Sequence, residues 1–424
     1  MMDIKAHEKK RRERELTAPI LKRVLRSRMG LSLLKGYWGF NSMKEHLRIG
    51  GQFALNLAQR TYIKPDAPLV WFNALFPSEL IWGLGLIPFY PELVSAMAAN
   101  VGLGPASLAQ ASDAHYPMDI CTFHRNAAGL GLQGLFPEGD AYVSTSNVCD
   151  IAAQMLASFG YQAGKEFILI DVPPSYDEES ITYVEEQLRD LTERLCSLTG
   201  ITFDIERLRE VIRLSNQARE QYQEVRKLRS TEPSPLRGSS QLNQLALIVT
   251  AFGTQDGVEF YRALRDYTQG LVSRGASEQE NQRYRLYWMH LKPYFHTDLM
   301  AWLEDELGAI IVFEEASNVW WKPLDERMPL RALADKMLSV YYNGPLERRL
   351  ETTLNCVREF KAQGVVQFHH WGCRQSTGAL QVMRDVLKRE GIPFLQVDGD
   401  CIDETNLQLG PLRTRIQGFL EMLD

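Results

Sequence analysis

Residues 365–378, which read VVQFHHWGCRQSTG, join a strand pattern to a helix pattern and place a cysteine at the junction. The β-branched and aromatic residues of 365–368 are typical of a buried strand, and apolar residues recur at helical spacing over 374–388. Cys373 therefore lies between the carboxyl end of a strand and the amino end of a helix. Ligands bind at this edge of the sheet in α/β proteins, and the N–H groups of a helix start favour a thiolate. Taken alone, a lone cysteine is more often a small buried hydrophobic residue.

The composition is that of a globular protein with more than one domain. With 424 residues, of which 45% are hydrophobic and 24% charged, the chain is too long for one core. A formal net charge of −6 argues against nucleic-acid binding, although residues 9–28 are rich in lysine and arginine. The longest uncharged apolar run, residues 80–91, is too short to cross a membrane, and the amino terminus lacks the apolar core of a secretory signal. These features predict a cytoplasmic protein with no membrane or nucleic-acid partner.

The pattern along the chain predicts four parts. Residues 1–65 form an N-terminal helical region, and residues 66–178, in which strand and helix patterns alternate, form a first α/β domain. Residues 179–280 are almost wholly helical in pattern and form an insert before a second α/β domain at residues 281–424. Because strands that alternate with helices pair in parallel through crossover connections, we expect an α/β fold with two parallel sheets.

The six cysteines differ in their predicted surroundings. None forms a Cys-x-x-Cys pair, which argues against a disulfide framework and a zinc ribbon. Cys121 and Cys149 stand at or near predicted helix starts, the helix of Cys149 beginning near position 148. Cys196 and Cys356 fall on apolar positions of helices, which favours a core role. The six cysteines are Cys121, Cys149, Cys196, Cys356, Cys373 and Cys401.

Several motifs together resemble the 2-hydroxyacyl-CoA dehydratase subunits, a family that includes benzoyl-CoA reductase subunits and double-cubane cluster proteins. They are Cys121 in DIC, Cys149 in SNVCD, Cys373 in HHWGCRQ, and the ending that runs from GD at 399–400 to FLEML at 419–423. The resemblance covers position 69 to the carboxyl terminus. Double-cubane members have further cysteine pairs before the last ligand, whereas residues 310–342 contain none, so that branch is disfavoured.

The resemblance implies a cofactor and its ligands. Two flavodoxin-like domains would face each other across a [4Fe-4S] cluster on Cys121, Cys149 and Cys373. Three thiolates leave the fourth iron open, and an open iron is a Lewis acid that can bind a thioester carbonyl. Cys401 is expected to be a nearby non-ligand. As a fourth ligand it would close the open iron and leave a chain that only transfers electrons.

The resemblance also implies a reaction. One electron at very low potential, delivered by a separate ATP-hydrolysing iron-sulfur activator, would reduce an acyl-CoA carbonyl to a ketyl radical that expels the neighbouring hydroxyl, after which the electron is recovered. Ordinary acid/base catalysis cannot remove the β-hydrogen, because it is not acidic. The activator must be another protein, since this chain has no Gly-x-x-x-x-Gly-Lys-Ser/Thr phosphate loop.

Four further residues are candidates for the site. Glu79 matches a family position and is a candidate acid/base or substrate contact, although a first-turn glutamate that favours the helix dipole is the alternative. His370 is a candidate hydrogen-bond donor to a sulfide or to the thioester oxygen, and Trp371 is a candidate substrate contact that shields the cluster. Arg374 is a candidate for balancing cluster charge or binding a CoA phosphate. The alternatives are packing for His370 and Trp371 and a surface ion pair for Arg374.

Three functions stay open at this point. The first is a subunit of a radical 2-hydroxyacyl-CoA dehydratase, paired with a homologous second subunit or with itself. The second is a subunit of a benzoyl-CoA reductase-type enzyme, which shares the cluster and activator but reduces a ring. The third is a non-catalytic α/β binding or assembly protein whose cysteines are merely buried. The family also implies an anaerobic source, because exposed low-potential clusters react with oxygen.

Overall fold

The computed structural model describes Ser27, residues 44–63 and residues 65–424. The first helix described is α1, Glu45–Tyr62, within the predicted N-terminal helical region. The basic segment at residues 9–28 lies outside the described residues, apart from Ser27. None of the described helices is both long and apolar enough to cross a membrane.

The first sheet is parallel throughout and has the strand order β2-β1-β3-β4. Its central strands, β1 and β3, are buried on both faces, which explains their nearly continuous apolar sequence. The elements of this part are β1 (Leu69–Phe72), α2 (Ser78–Gly83), β2 (Ile87–Phe89), α3 (Pro91–Asn100), α4 (Gly104–Asp113), α5 (Thr122–Leu132), β3 (Ala141–Thr145), α6 (Asp150–Ala163) and β4 (Phe167–Ile170).

A helical segment follows and connects the two sheets. Its long helices are amphipathic, and their buried stripes pack together and against a helix of the second half. This packing forms a core that includes Leu80 of α2 as well as Leu208 and Phe252. The elements are α7 (Glu178–Thr199), α8 (Ile205–Arg229), α9 (Gly238–Gln241), a 3₁₀ turn (Leu242–Gln244), α10 (Leu245–Thr250) and α11 (Gln255–Ser273).

The second sheet is also parallel and has the order β6-β5-β7-β8. Its elements are β5 (Tyr284–Met289), α12 (Leu299–Ala301), a π-helical turn (Trp302–Glu306), β6 (Ala309–Glu314), a 3₁₀ turn (Glu315–Ser317), α13 (Pro329–Leu338), α14 (Leu346–Glu359), β7 (Gly364–His370), α15 (Arg374–Thr377), α16 (Leu380–Arg389), β8 (Phe394–Gly399), a 3₁₀ turn (Glu404–Asn406) and α17 (Leu409–Glu421). The apolar spacing over residues 296–307 is typical of a helix, but the helix starts only at Leu299, whose N–H donates to the Thr297 hydroxyl at 3.3 Å.

Both sheets repeat one topology, in which the first strand of each half pairs with the second and the third. This is the flavodoxin-like order, and it confirms the predicted fold class. The predicted domains at residues 66–178 and 281–424 each contain one sheet. In such sheets a crevice opens where the strand order reverses, here between β1 and β3 and between β5 and β7.

Candidate metal centre

The three predicted ligands each stand at the amino terminus of a helix. Cys121 is the N-cap of α5, Cys149 that of α6 and Cys373 that of α15. Cys149 follows β3 and Cys373 follows β7, so these two come from equivalent switch points of the two sheets. The helix of Cys149 begins at Asp150, two residues later than predicted, because Val148 adopts a left-handed φ of +67° that no helix interior accepts.

The three predicted ligands lie close enough that the charge of one thiolate affects the pKa of another. Burial raises the pKa of Cys121 well above its ordinary value, and the charges of Cys373 and Cys149 add to this effect. Burial likewise raises the pKa of Cys149 to about 12, with Cys373 among the contributing charges. Burial also opposes ionisation of Cys373, but the neighbouring His290 and hydrogen bonds from Ser376 together outweigh burial and lower the pKa to about 7. The site thus holds three mutually close thiols, of which Cys373 ionises most readily.

Each thiol has one histidine ring beside it. His370 Nε2 lies 3.3 Å from Cys121 Sγ, and His124 Nε2 lies 3.6 Å from Cys149 Sγ. The third pair joins His290 Nε2 to Cys373 Sγ at 3.6 Å. Of these histidines, the sequence singled out only His370.

The other two histidines left a weak signal in the sequence. His124 is three residues from Cys121, in the first turn of α5, and His290 directly follows strand β5. Cys373 was selected because it lies just past the end of a strand pattern, and the same criterion would have selected His290. Nothing in the sequence pairs either histidine with its cysteine, because each pair is 25 or more positions apart.

A close approach of the two halves brings Cys373 to Cys121. Gly372 has a φ of +73°, and a Cβ added to it would lie 2.7 Å from the backbone nitrogen of Cys121 and from the carbonyl carbon of Ile120. Only glycine fits there without a backbone shift. The approach is secured by the Thr122 hydroxyl, which donates to the buried carboxylate of Asp400 at 2.6 Å.

The remaining three cysteines lie in or pack against hydrophobic core clusters. Cys401 is fully buried in the core of the second half, and its backbone N–H donates to His370 Nδ1 at 3.0 Å. Burial raises its pKa, and the charges of Cys121 and Cys373 contribute, so Cys401 lies near the centre as predicted. Its non-ligand role stays a prediction. Cys356 is buried in the core, and Cys196 packs partly buried against a core cluster, as expected from the helical pattern.

Glu79 lies in a buried ion pair. Its side chain is 0% exposed, accepts a hydrogen bond from the Ser215 hydroxyl at 2.8 Å and pairs with Lys336 Nζ at 2.6 Å. Lys336 also sits 3.8 Å from the ring centroid of Trp321. These contacts link α2, α8 and α13, so the observed role of Glu79 is to join three parts of the fold. Its predicted acid/base or substrate role stays a prediction.

A second carboxylate, Glu92, lies nearer the thiols and was not predicted from the sequence as a site residue. Glu92, in the first turn of α3, is among the charges that act on Cys149. Its Oε2 is buried without a hydrogen-bond partner among the described residues, and burial raises its pKa to about 8. Glu92 therefore keeps its proton at neutral pH, as a general acid requires. The only sequence signal of Glu92 is its position. It directly follows the proline that opens α3, and α3 follows the edge strand β2.

Trp371 and Arg374 lie at the surface on either side of Cys373. Trp371 is 52% exposed and lines a cavity of about 380 Å³ together with His369, Asp398 and Arg415. The Arg374 guanidinium pairs with Asp150 at 3.1 Å and borders a second cavity, of about 300 Å³, whose wall includes Val148 and Gln375. This second cavity thus adjoins the residues next to Cys149 and Cys373. The predicted substrate roles of Trp371 and Arg374 stay predictions.

The donor set fits a polynuclear cluster better than a single ion. Among the residues that the structure describes, no three His, Cys, Asp or Glu side chains are spaced to hold one metal ion. A cubane cluster has a different requirement, because each thiolate binds a different iron. Three cysteines that lie close enough to influence one another's pKa are compatible with this requirement. Backbone N–H groups of the helix starts, such as those of Phe123 and His124 at Cys121, stabilise the thiolates.

Comparison with known proteins identifies the family. A family model described as 2-hydroxyglutaryl-CoA dehydratase, D-component, matches residues 73–423. The chain belongs to this family. This confirms the resemblance seen in the sequence, and the match covers all three cysteines of the candidate metal centre.

Similar proteins of the family include subunits of both dehydratases and reductases. The alpha subunit of (R)-phenyllactyl-CoA dehydratase from Clostridium sporogenes is 26% identical over 83% of this chain and 89% of its own length. The alpha subunit of lactoyl-CoA dehydratase from Anaerotignum propionicum is 21% identical over 84% of this chain and 90% of its own. One of the benzoyl-CoA reductase subunits from Thauera aromatica is 23% identical over 82% of this chain and 86% of its own. These relatives are subunits of multi-subunit enzymes.

Proposed function

We propose that this chain is the [4Fe-4S] subunit of a radical 2-hydroxyacyl-CoA dehydratase. The observation that supports this most is the meeting of Cys121, Cys149 and Cys373 at helix amino termini between two flavodoxin-like sheets. These three residues would hold the cluster. When bound, it would supply one low-potential electron to the thioester carbonyl of the substrate and take it back after water has left.

The protein's own residues have three tasks in this proposal. The first is to keep the reacting centre dry, and the burial of Cys121, His370 and their neighbour Phe123 serves it. The second is to fix the ligand geometry, through the tight contact at Gly372. The third is to move protons, since elimination of water needs one proton for the leaving hydroxyl and removes one from carbon. Glu92, whose pKa of about 8 leaves the proton mobile near neutral pH, is our candidate for one of these transfers.

The cavity beside Arg374 is our candidate for the path by which substrate reaches the centre. It has a volume of about 300 Å³ and lies against the residues next to two of the three thiols. Arg374, whose side chain is largely exposed at its edge, would meet a CoA phosphate, and guanidinium groups favour such bidentate contacts. An acyl thioester that binds here would approach Cys149 and Cys373 from the cleft between the two sheets.

The proposal includes two protein partners. The relatives are named as alpha subunits of dehydratases and as two different subunits of one benzoyl-CoA reductase, so we propose that this chain works with a homologous second subunit. We also propose that a separate ATP-dependent iron-sulfur protein delivers the electron, because the chain has no phosphate loop of its own.

The test is a substrate assay of the assembled enzyme. The chain, co-purified without oxygen with its second subunit and supplied with activator and ATP, is offered a panel of (R)-2-hydroxyacyl-CoA thioesters and benzoyl-CoA, and products are identified by mass spectrometry. Loss of one water from a hydroxyacyl-CoA that depends on the activator supports the proposal. Reduction of benzoyl-CoA without any dehydration would assign the chain to the reductase branch, and a cluster-free complex with no turnover would return it to a binding or assembly role.

A further inference from the structure

We propose that His124, His290 and His370 form a shell of N–H donors, one for each cluster cysteine, that sets the reduction potential of the centre. The inference rests on the proposed function, since it assumes that the three thiolates hold the cluster. It follows from the pairing itself, because each Sγ faces one ring nitrogen at 3.3–3.6 Å. The three histidines would be positioning residues that act through the thiolates.

The tautomer of His370 is fixed by its surroundings. The backbone N–H of Cys401 donates to Nδ1 at 3.0 Å, so Nδ1 is the acceptor of the ring and Nε2 carries the proton. Nε2 lies 3.3 Å from Cys121 Sγ and 3.4 Å from the Thr122 hydroxyl oxygen. The Thr122 hydroxyl hydrogen is already donated to Asp400, which leaves the oxygen as a second acceptor. His370 therefore points an N–H at the sulfur.

His290 is held in a strained backbone conformation that aims its ring at Cys373. Its φ of +70° is uncommon for a residue with a side chain, and it occurs at the end of β5, where the second sheet has its switch point. The His290 N–H donates to Glu315 Oε2 at 3.2 Å, and Glu315 is fixed by a buried ion pair with Arg349 at 2.7 Å. Strain that the surroundings hold in place is typical of functional sites. The Nε2 atom of His290 contacts Cys373 Sγ, whereas its Nδ1 atom has no hydrogen-bond partner among the described residues.

The His370 ring is electrically neutral, because its Nδ1 accepts a hydrogen bond from the Cys401 N–H. His124 is buried like His370, whereas His290 is partly buried. A neutral imidazole has one N–H, which it can donate without adding a charge to the site. We therefore expect the shell to act through directed hydrogen bonds and not as a ring of cations.

The expected effect of each N–H donor on the reduction potential has a definite direction. Reduction adds negative charge to the cluster and its sulfurs, and an N–H that points at a sulfur stabilises the reduced state more than the oxidised state. Each donor therefore raises the reduction potential. Removal of one donor should shift the potential to a more negative value and make reduction by the activator harder.

The test is an anaerobic redox titration of the cluster-loaded protein, followed by electron paramagnetic resonance. In His370→Leu the N–H is lost, and in His370→Gln an amide N–H is retained. His290→Asn tolerates the left-handed backbone, but its side chain is too short to reach Cys373. The matched control is His369→Gln, because His369 neighbours His370 on β7 but pairs with Asp398 at 2.8 Å.

We expect more negative midpoint potentials in His370→Leu and His290→Asn, a potential near that of the wild type in His370→Gln, and no shift in the control. Equal potentials in all variants that bind a cluster would overturn the inference while leaving the proposed function intact. A wild-type protein that binds no cluster would instead remove the proposed function and this inference with it.

Discussion

Glu79 and Glu92 show how two carboxylates near the same sheet acquire different properties from their surroundings. Glu79 is fully buried and finds a cation, Lys336, and a donor, Ser215. Each carboxylate leaves its Oε2 without a hydrogen-bond partner among the described residues, but in Glu92, which is partly buried, burial dominates and raises the pKa to about 8. The first is suited to holding helices together and the second to holding a proton.

The ion pair of Glu79 should matter most when one partner is removed. We expect Lys336→Met to destabilise the fold by about 3–5 kcal/mol, because it leaves the Glu79 charge buried without a cation. The double variant Glu79→Gln with Lys336→Met should lose less, since Gln keeps an acceptor for Ser215. Urea unfolding of the single and double variants measures the difference. A double variant less stable than Lys336→Met would contradict this account.

Glu92 should make the stability depend on pH. Below about pH 4.5 the carboxyl is protonated in both folded and unfolded chains, whereas between about 4.5 and 8 only the unfolded chain ionises. The stabilising contribution is therefore full below the lower pKa and is lost as the pH rises towards the upper one. We expect the melting temperature of the wild type to fall more between about pH 5 and pH 8 than that of Glu92→Gln. Parallel pH profiles of the two proteins would show that the Glu92 carboxyl titrates normally.

At the scale of elements, the centre depends on how three helices begin. Two of the three cysteines follow a residue in the left-handed region, Val148 with a φ of +67° and Gly372 with a φ of +73°. Such a residue turns the chain sharply between strand and helix, and the cysteine that follows it becomes the N-cap of the helix. The short helix α15 and the longer α6 use this same turn.

Gly372 provides a test of this geometry with a matched control. Alanine at Gly372 or at Gly391, where φ is +71°, should cost about 1–2 kcal/mol for the left-handed backbone. Only at Gly372 would the added Cβ meet backbone atoms, those of Ile120 and Cys121, while Gly391 has nothing within 4 Å. We expect Gly372→Ala, measured by iron content and thermal unfolding, to lose cluster binding and more stability than Gly391→Ala. Equal behaviour of the two variants would mean that the close approach does not shape the site.

At the scale of the whole molecule, the centre lies on the seam between two halves of like topology, and Asp400 secures this seam. Its buried carboxylate accepts from Thr122 of the first half at 2.6 Å and from the N–H groups of Ile402 and Asp403 at 2.8 and 3.0 Å. Arg125 of α5 also approaches Asp403 at 3.6 Å. The loop after β8 is therefore fixed against α5, the helix whose N-cap is Cys121.

We expect Asp400→Ala to destabilise the protein by on the order of 3 kcal/mol, because several buried donors lose their acceptor. Asp398→Ala is the control, since Asp398 lies near the same strand end but is itself exposed; it has a hydrogen bond with His369 and an exposed ion pair with Arg415, and exposed pairs contribute up to about 1 kcal/mol. Chemical unfolding of both variants measures the contrast. A loss in Asp398→Ala as large as that in Asp400→Ala would argue against a special role for the seam.

Much of this architecture could be predicted from the sequence, because it rests on local patterns. The buried strand predicted over residues 365–368 lies within β7, Gly364–His370, and the junction at Cys373 follows from the change between strand and helix periodicity. Contacts between distant residues could not be predicted in this way. The pairing of His290 with Cys373 and the burial of Glu79 against Lys336 depend on tertiary packing, to which hydrophobic periodicity gives no access.

The central claim, that Cys121, Cys149 and Cys373 together hold a [4Fe-4S] cluster, is tested most directly by iron and acid-labile sulfide per chain after strictly anaerobic purification. We predict about four of each in the wild type and a sharp loss in a serine variant of any of the three cysteines. Cys196→Ser, in a partly buried cysteine of the helical segment, should keep both. Iron-free wild-type protein after attempted cluster reconstitution, or full iron content in Cys373→Ser, would contradict the account.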